Sequence, residues 1–448
     1  MSAPRGQFQS RVGFVMAAAG SAVGLGNIWG FPTKAAGNGG AAFVVVYLIL
    51  AFLLAYPALM AELTIGRHAR RNMVQALQAI STGPISRLVG TLAGYSGIIV
   101  ASLILSFYAI VAGWMVSHMA EPVSTMLGMT GASEWMTGGS TERNLIFTAI
   151  FSSLTMLIIM GGVEKGIERW STLLMPSLLI LLVLLIVYVL TQPGATKGLE
   201  AYLMPNFDHF NPQMLLAAMG QAFFSLSIGV GTMLIYGSYL SHQESLPRLG
   251  AVVTLVDLGI AFTAGLLIIP AMYVAQEAGT DIFAADGSLI AGPDLILQVL
   301  PALFETMGSV GLLVAFAFFT LMVVASLTSS ISMLEVPVAF SIENLGLSRK
   351  VATILVGLAI FAMSSLIIFN FDTLFGLVIS ISTEWGQPLL GVVLCIFAGW
   401  IFNRNQLLTE LKQGDPHIED SLFWKIWPTY VKIVCPTLIL MAFAQTIL

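Results

Sequence analysis

The stretch Ala17-Ala18-Ala19-Gly20-Ser21-Ala22-Val23-Gly24-Leu25-Gly26-Asn27 decides how this 448-residue chain is read. It lies inside the first apolar segment, about 11–36, yet only Val23 and Leu25 in it are the large aliphatic residues that a helix normally turns toward hydrocarbon. Glycine lowers the cost of unwinding a helical turn. Unwinding frees amides and carbonyls, which a bilayer tolerates only where they line a buried cavity or meet a ligand. A second stretch, Phe223-Phe224-Ser225-Leu226-Ser227-Ile228-Gly229-Val230-Gly231, puts another Gly-x-Gly inside the sixth apolar segment. Small residues also let membrane helices pack closely, and either stretch alone fits that role. Their positions set them apart, because the first and sixth segments open two five-helix halves. Interrupted segments in corresponding places point to a transporter site built from inverted repeats. Placement carries that inference; no strong residue-level symmetry accompanies it.

Composition sets the surroundings. Hydrophobic residues make up 57% of the chain and charged residues 9%, with mean hydropathy +0.91. A soluble domain carries roughly 25% charged residues, so the chain is expected to be an all-α membrane protein. Eleven segments reach the ~20 apolar residues that cross a bilayer: about 11–36, 41–66, 88–118, 144–161, 167–191, 213–241, 247–276, 306–342, 350–370, 374–402 and 430–448. No A-x-A-like cleavage site follows a short apolar run near the start. Residues 1–448 read as one transporter domain, with repeats at 1–191 and 213–402 and an additional helix at 430–448. The connections 119–143 and 277–305 are long enough to fold into short helices. Cys395 and Cys435 lie in apolar stretches and read as packing residues. A net charge of −5 gives no reason to expect a nucleic-acid partner.

Lysine and arginine placement orients the chain. With the N-terminus in the cytoplasm, Arg5, Arg11, Arg67, Arg70, Arg71, Arg87, Lys165, Arg169, Arg248, Arg349, Lys350, Arg404, Lys412 and Lys425 all fall inside, fourteen of eighteen. Lys34, Arg143 and Lys197 fall outside, and Lys432 starts the last span. The expectation is a multi-pass protein of the cell inner (plasma) membrane, with its C-terminus external.

The stretch from Arg11-Val12-Gly13-Phe14 through Gly24-Leu25-Gly26-Asn27-Ile28-Trp29-Gly30-Phe31-Pro32 and Asn38-Gly39-Gly40 resembles the opening helix of the neurotransmitter:sodium symporters. Glu62 with Gly66-Arg67, Tyr108, Gln221-x-Phe223-Phe224-Ser225-Leu226-Ser227 and Ser326-Leu327-Thr328-Ser329-Ser330 match later motifs of that family in order, so the resemblance spans essentially the whole chain. It implies a five-plus-five inverted-repeat fold with helices 1 and 6 unwound at mid-membrane, two sodium sites, and one amino-acid pocket halfway across. Eleven spans are similar to the pattern of many prokaryotic members.

The resemblance maps a first sodium site onto Ala22, Asn27, Ser225 and Asp257, completed by the substrate carboxylate. Asp257 often corresponds to Asn in relatives. A carboxylate inside a membrane is costly unless paired, and a bound cation is a natural partner, although neighbouring hydroxyls could also hold it. This built-in anion implies no chloride requirement. The second site maps onto the carbonyls of Gly20, Val23 and Ala325 with the hydroxyls of Thr328 and Ser329. Hard oxygens suit such a cation, although helical serines and threonines also bond back to their own helix. The substrate's carboxylate is expected at the amides near Leu25 and Gly26, with Tyr108 donating to it. Gly24 stands where amine-transporting relatives carry an acid, which favours an α-amino acid. Ile104, Phe224, Val230, Ser326 and Met333, with Ser227 below, resemble an uncharged side-chain pocket for a neutral hydrophobic or aromatic amino acid. With Ala22, Ser225 and Ser329 these complete the expected substrate contacts.

Gates follow from the same resemblance. Arg5 and Glu343 match a cytoplasmic ion pair, with Phe8, Ser238 and Tyr239 nearby. The outer pair is missing at both ends, with Gly30 for Arg and Phe375 for Asp, so closure there is expected to rest on Tyr108 and Phe224. Glu62 and Gln221 are read as structural braces, and Glu335 and Glu384 as bonded to structure or water. Other functions fit less well. No H-E-x-x-H, Walker A or G-x-S-x-G motif supports an enzyme, and one asymmetric site is unlike a channel filter repeated by symmetric subunits. A non-transporting amino-acid sensor on the same scaffold would carry the same binding residues.

Overall fold

The computed structural model of the chain describes residues 6–205, 210–283, 289–290 and 295–447. Nine helices among them are long and apolar enough to span a membrane. These are α2 (Ala41–Ala69), α3 (Pro84–Met126), α4 (Thr141–Met160), α5 (Val163–Leu190), α7 (Leu246–Glu277), α8 (Gly308–Leu345), α9 (Arg349–Phe369), α10 (Phe371–Ile401) and α11 (Leu422–Ala444). Two further spans are broken. The first, α1, is the pair Arg11–Ala22 and Gly26–Gly37, bent by 52°. The other, α6, is the pair Pro212–Ser225 and Thr232–Gly237. Together they make the eleven expected spans. The ends differ from expectation at α3, which runs on to Met126, and at α11, which starts at Leu422. Short helices at Thr130–Thr137 and Leu295–Thr306 occupy the two long connections. Cys395 and Cys435 are both buried and free.

The break in α1 follows from its small residues. The helix ends at Ala22, Val23 turns extended (φ −76, ψ 108) while its amide still reaches the Ala19 carbonyl, and winding resumes at Gly26 in a wide turn. The break in α6 needs left-handed backbone at Ser227 (φ 52), Gly229 (φ 83) and Gly231 (φ 82). Glycine takes such angles freely, but a serine there stores about 1–3 kcal/mol. Neighbours hold it: Ser227 Oγ donates to the Ser21 carbonyl at 3.1 Å, and Glu62 accepts from the Gly229 amide at 2.6 Å and the Leu234 amide at 3.3 Å. Glu62 thus bonds to both sides of the α6 break, and among the described residues it makes no such bond to α1. Gln221 joins the two breaks instead, donating from Nε2 to the Gly26 carbonyl at 2.7 Å.

At Gly229 a Cβ would collide with the Gln387 carbonyl oxygen and stand 3.0 Å from the Gly391 amide nitrogen, both on α10. Gly229→Ala is therefore expected to cost more than about 2 kcal/mol. Thermal unfolding of the purified protein in detergent measures it, and a wild-type midpoint would show that α6 does not need this glycine.

The long helices α3 and α8 pack on one another; α8 also packs against both broken helices, and α3 reaches the α1 break through Tyr108. On the N-terminal side of the membrane, the fully buried Arg67 of α2 ties down the Arg404–Gly414 helix. Its Nε lies 2.6 Å from Glu410 Oε1, and Nη2 donates to the Glu410 carbonyl at 2.7 Å. Burial alone would raise the Glu410 carboxyl, but His68, Arg67 and His242 outweigh it and hold it at about 2.

Candidate substrate and ion site

A small cavity of about 30 Å³ lies between the two breaks. Ala22, Gly24, Leu25, Gly26, Ile104, Tyr108, Phe224, Ser227, Val230, Ser329, Met333 and Gln387 line it. Eleven of these twelve are residues singled out from the sequence, and Gln387 is the addition. Two expected contacts are absent from the lining. Ser225 turns to Asp257, and Ser326 donates to the Met322 carbonyl at 2.7 Å. The volume holds about one water, so a larger guest enters only as the walls give way.

Tyr108 closes one end. Its hydroxyl oxygen accepts from the Leu25 amide at 3.2 Å. A carboxylate arriving at that amide would displace this bond and leave the hydroxyl free to donate. Gly24 is pressed close to the same group, since a Cβ there would stand 2.8 Å from Tyr108 Oη and closer still to Ser329 Oγ.

Beside the cavity, Asp257 of α7 is fully buried. Its Oδ1 accepts from Asn27 Nδ2 at 2.7 Å, and both carboxylate oxygens accept from Ser225 Oγ at 3.0 Å. Asn27 Oδ1 in turn accepts from the Gly24 amide at 3.2 Å. Every recorded bond to the carboxylate comes from a neutral group, so its charge is uncompensated by side chains among the described residues. Three of the four residues mapped to the first sodium site thus meet, and Ala22 stands at the end of the α1 half-helix alongside.

A second cluster holds no charge. Thr328 Oγ1 lies 3.3 Å from the Val23 carbonyl oxygen and 2.9 Å from that of Ala325. Ser329 Oγ lies 3.3 Å from the Gly20 carbonyl oxygen and 3.2 Å from that of Val23. All five oxygens mapped to the second sodium site therefore converge. The approach is close at Gly20, where a Cβ would stand 3.1 Å from Thr328 Cβ. Neutral hard oxygens in this number suit an alkali cation rather than a transition metal.

The walls differ on the two sides. On the side away from the N-terminus, a chamber of about 700 Å³ shares Phe224 and Gln387 with the small cavity. Among the described residues, its only charged lining residues are Lys34 and Glu384. Gly30 lines this chamber, but Phe375 does not; α10 contributes Ile379, Thr383, Glu384, Gln387 and Pro388. Phe375 instead stacks on Phe371 at 4.5 Å and packs against Trp114. Phe375 therefore does not line the chamber, whereas Ile379, one turn further on, does.

On the N-terminal side the wall is thick. Tyr239 Oη donates to Glu335 Oε1 at 2.6 Å, and Arg349 forks onto the same carboxylate with both Nη atoms at 2.8 Å. Phe8 caps this group, its amide donating to the Tyr239 carbonyl and its ring packing edge-on against Phe14, Tyr236 and Tyr239. Of the expected Arg5–Glu343 pair, Arg5 lies outside the described residues. Glu343 accepts from the Asn72 amide at 2.7 Å and from Asn72 Nδ2 at 2.8 Å. The sequence reading missed the partnership of Glu335 with Arg349, though an acid at the end of one span and an arginine at the start of the next were visible.

The model of the sodium:neurotransmitter symporter family matches residues 5–146 and 136–448, nearly the whole chain. The chain belongs to the sodium:neurotransmitter symporter family. Like its relatives, this symporter is a sodium-dependent membrane transporter and not an enzyme. It is 33% identical over 462 residues to a sodium-dependent transporter of Bacillus subtilis, covering 98% of this chain and 97% of that one. Human sodium- and chloride-dependent GABA transporter 2 is 26% identical over 485 residues, which cover 95% of this chain and 76% of the human one. Among solved structures, MhsT in complex with L-phenylalanine superposes with a TM-score of 0.84 at 35% identity, covering 98% of this chain and 99% of MhsT. The symporter therefore has the LeuT-like fold that its broken helices imply.

Proposed function

We propose that this symporter carries one neutral, hydrophobic or aromatic α-amino acid together with two sodium ions by alternating access. The carrying observation is the pair of oxygen clusters on either side of a cavity whose side wall holds no charge. Asp257 with Asn27, Ser225 and Ala22 would take one ion, and the substrate carboxylate would add the last ligand, so that ion and amino acid bind as a unit. Gly20, Val23, Ala325, Thr328 and Ser329 would take the other. The likeness to MhsT, whose structure holds L-phenylalanine, supports an apolar substrate.

The fixed charge of Asp257 would stand in for a chloride ion, unlike the chloride-dependent GABA transporters. The Lys/Arg distribution supports a cytoplasmic N-terminus in the plasma membrane, which makes the 700 Å³ chamber the outer one. Repeats at 1–191 and 213–402 would rock about the central site as one transporter domain. Phe224 would admit the substrate, and the Tyr239–Glu335–Arg349 group would release it.

The test is uptake into proteoliposomes under an imposed sodium gradient, with competing amino acids and with chloride replaced by gluconate. Sodium-driven, chloride-independent accumulation of an apolar amino acid is expected. Binding without uptake would identify a sensor, and sodium-independent uptake would overturn the ion assignments. Gly24→Asp adds a further test. The new carboxylate would occupy the place of the substrate's own and repel it by a few kcal/mol at close range. Affinity is expected to fall at least about 100-fold, and retained affinity would refute the proposed pocket orientation.

A further inference from the structure

Gln387 lies on α10 beside the break in α6, its backbone oxygen pressed against Gly229. Only 2% of the residue is exposed, yet it lines both the central cavity and the outer chamber. Its Nε2 faces the Phe223 carbonyl oxygen at 3.4 Å. A carbonyl oxygen only accepts, so the amide keeps its nitrogen on that side and turns Oε1 away. That oxygen is buried and has no hydrogen-bond partner among the described residues. Interiors leave few such atoms unmatched, and those at a cavity wall call for a ligand or water. Its neighbours along the side-chain end of the cavity, Ile104, Phe224, Val230 and Met333, are all apolar.

We propose that Gln387 Oε1 receives a hydrogen bond from the substrate's side chain, so that the site favours aromatic amino acids carrying an N–H or O–H, an indole or a phenol, over pure hydrocarbons. The inference rests on the amino-acid reading of the cavity and names the substrate class within it. A pocket with one buried acceptor penalises an isostere that lacks the donor, because the acceptor is then dehydrated without return.

The measurement is calorimetric titration of the purified symporter in saturating sodium with tryptophan and with 3-benzothienylalanine, which keeps the ring shape and replaces the indole N–H by sulfur. The analogue is expected to bind about 10-fold more weakly. Gln387→Leu is expected to erase that gap by weakening tryptophan about 10-fold, while phenylalanine stays within about 2-fold; Gln387→Met serves if the leucine variant does not fold. Equal affinities in the wild type, as a water-satisfied Oε1 would give, overturn the proposal. So does a gap that survives the substitution, or an equal loss for phenylalanine and tryptophan. If neither aromatic amino acid binds, the reading of the cavity falls and takes this inference with it. If the gap is found but no sodium-driven uptake occurs, Gln387 keeps its role and only the transport reading falls.

Discussion

Asp257→Ala is expected to leave no measurable sodium-dependent uptake. The carboxylate is fully buried on α7, and its recorded partners are the neutral Asn27 amide and Ser225 hydroxyl. A charged acid at the centre of a membrane helix costs about 2.5–3.5 kcal/mol even on the most lenient scale, and two neutral hydrogen bonds offset only part of that. A bound cation offsets the rest, so the acid and the ion stabilise each other. Alanine removes the charge, strands Ser225 Oγ without its acceptor and leaves Asn27 Nδ2 only the backbone carbonyl of residue 257 at 3.1 Å. Asp257→Asn separates these effects, because it keeps an acceptor and the side-chain volume while removing the charge. Sodium titration of uptake should then show apparent affinity lowered about 10- to 100-fold, with folding intact. Either variant accumulating substrate at the wild-type sodium dependence would remove Asp257 from the ion site.

The second large effect is expected at the inner wall. Glu335→Ala takes the carboxylate from the Arg349 guanidinium, whose side chain is 24% exposed, and leaves it the Ile159 carbonyl at 3.2 Å and the Tyr239 hydroxyl. Removing one member of a fully buried ion pair costs about 3–5 kcal/mol, and the partial exposure of Arg349 lowers that to about 2–3 kcal/mol. Because this pair closes only one side, much of that cost falls on the closed form alone, so the balance between the closed and open forms of that side should shift by about one to two orders of magnitude. Amide hydrogen exchange should quicken across residues 8–23, which the wall holds in place, and accumulation against a gradient should collapse. Tyr239→Phe, which removes one hydrogen bond of the group, should produce the same changes more weakly. Unchanged exchange in Glu335→Ala would show that the wall is not held by this pair.

The breaks were legible because glycine and serine stand where a bilayer helix wants bulk, and that contrast survives in a single sequence. Convergence of Asn27 with Asp257, or of Gly20 with Ser329, was not legible from spacing, since 230 and 309 residues separate them; the family resemblance supplied it. Glu335 and Arg349 escaped for a different reason. Glu335 reads as an acid within its span and Arg349 as a cation between spans, and only the turn between α8 and α9 brings both to Tyr239. Gln387 belongs to no motif quoted from the sequence, and its meaning comes from the neighbour it lacks.

The partition around the central cavity is lopsided, one ring and one amide toward the large chamber but an aromatic cluster and a forked ion pair on the N-terminal side. Loading and unloading should therefore keep different tempos. A lone phenylalanine can swing on the nanosecond scale, whereas freeing Glu335 demands a collective hinge movement over microseconds to milliseconds. Guests would come and go at the front many times before one is committed through the back, and the pace of the whole cycle would be set at the exit.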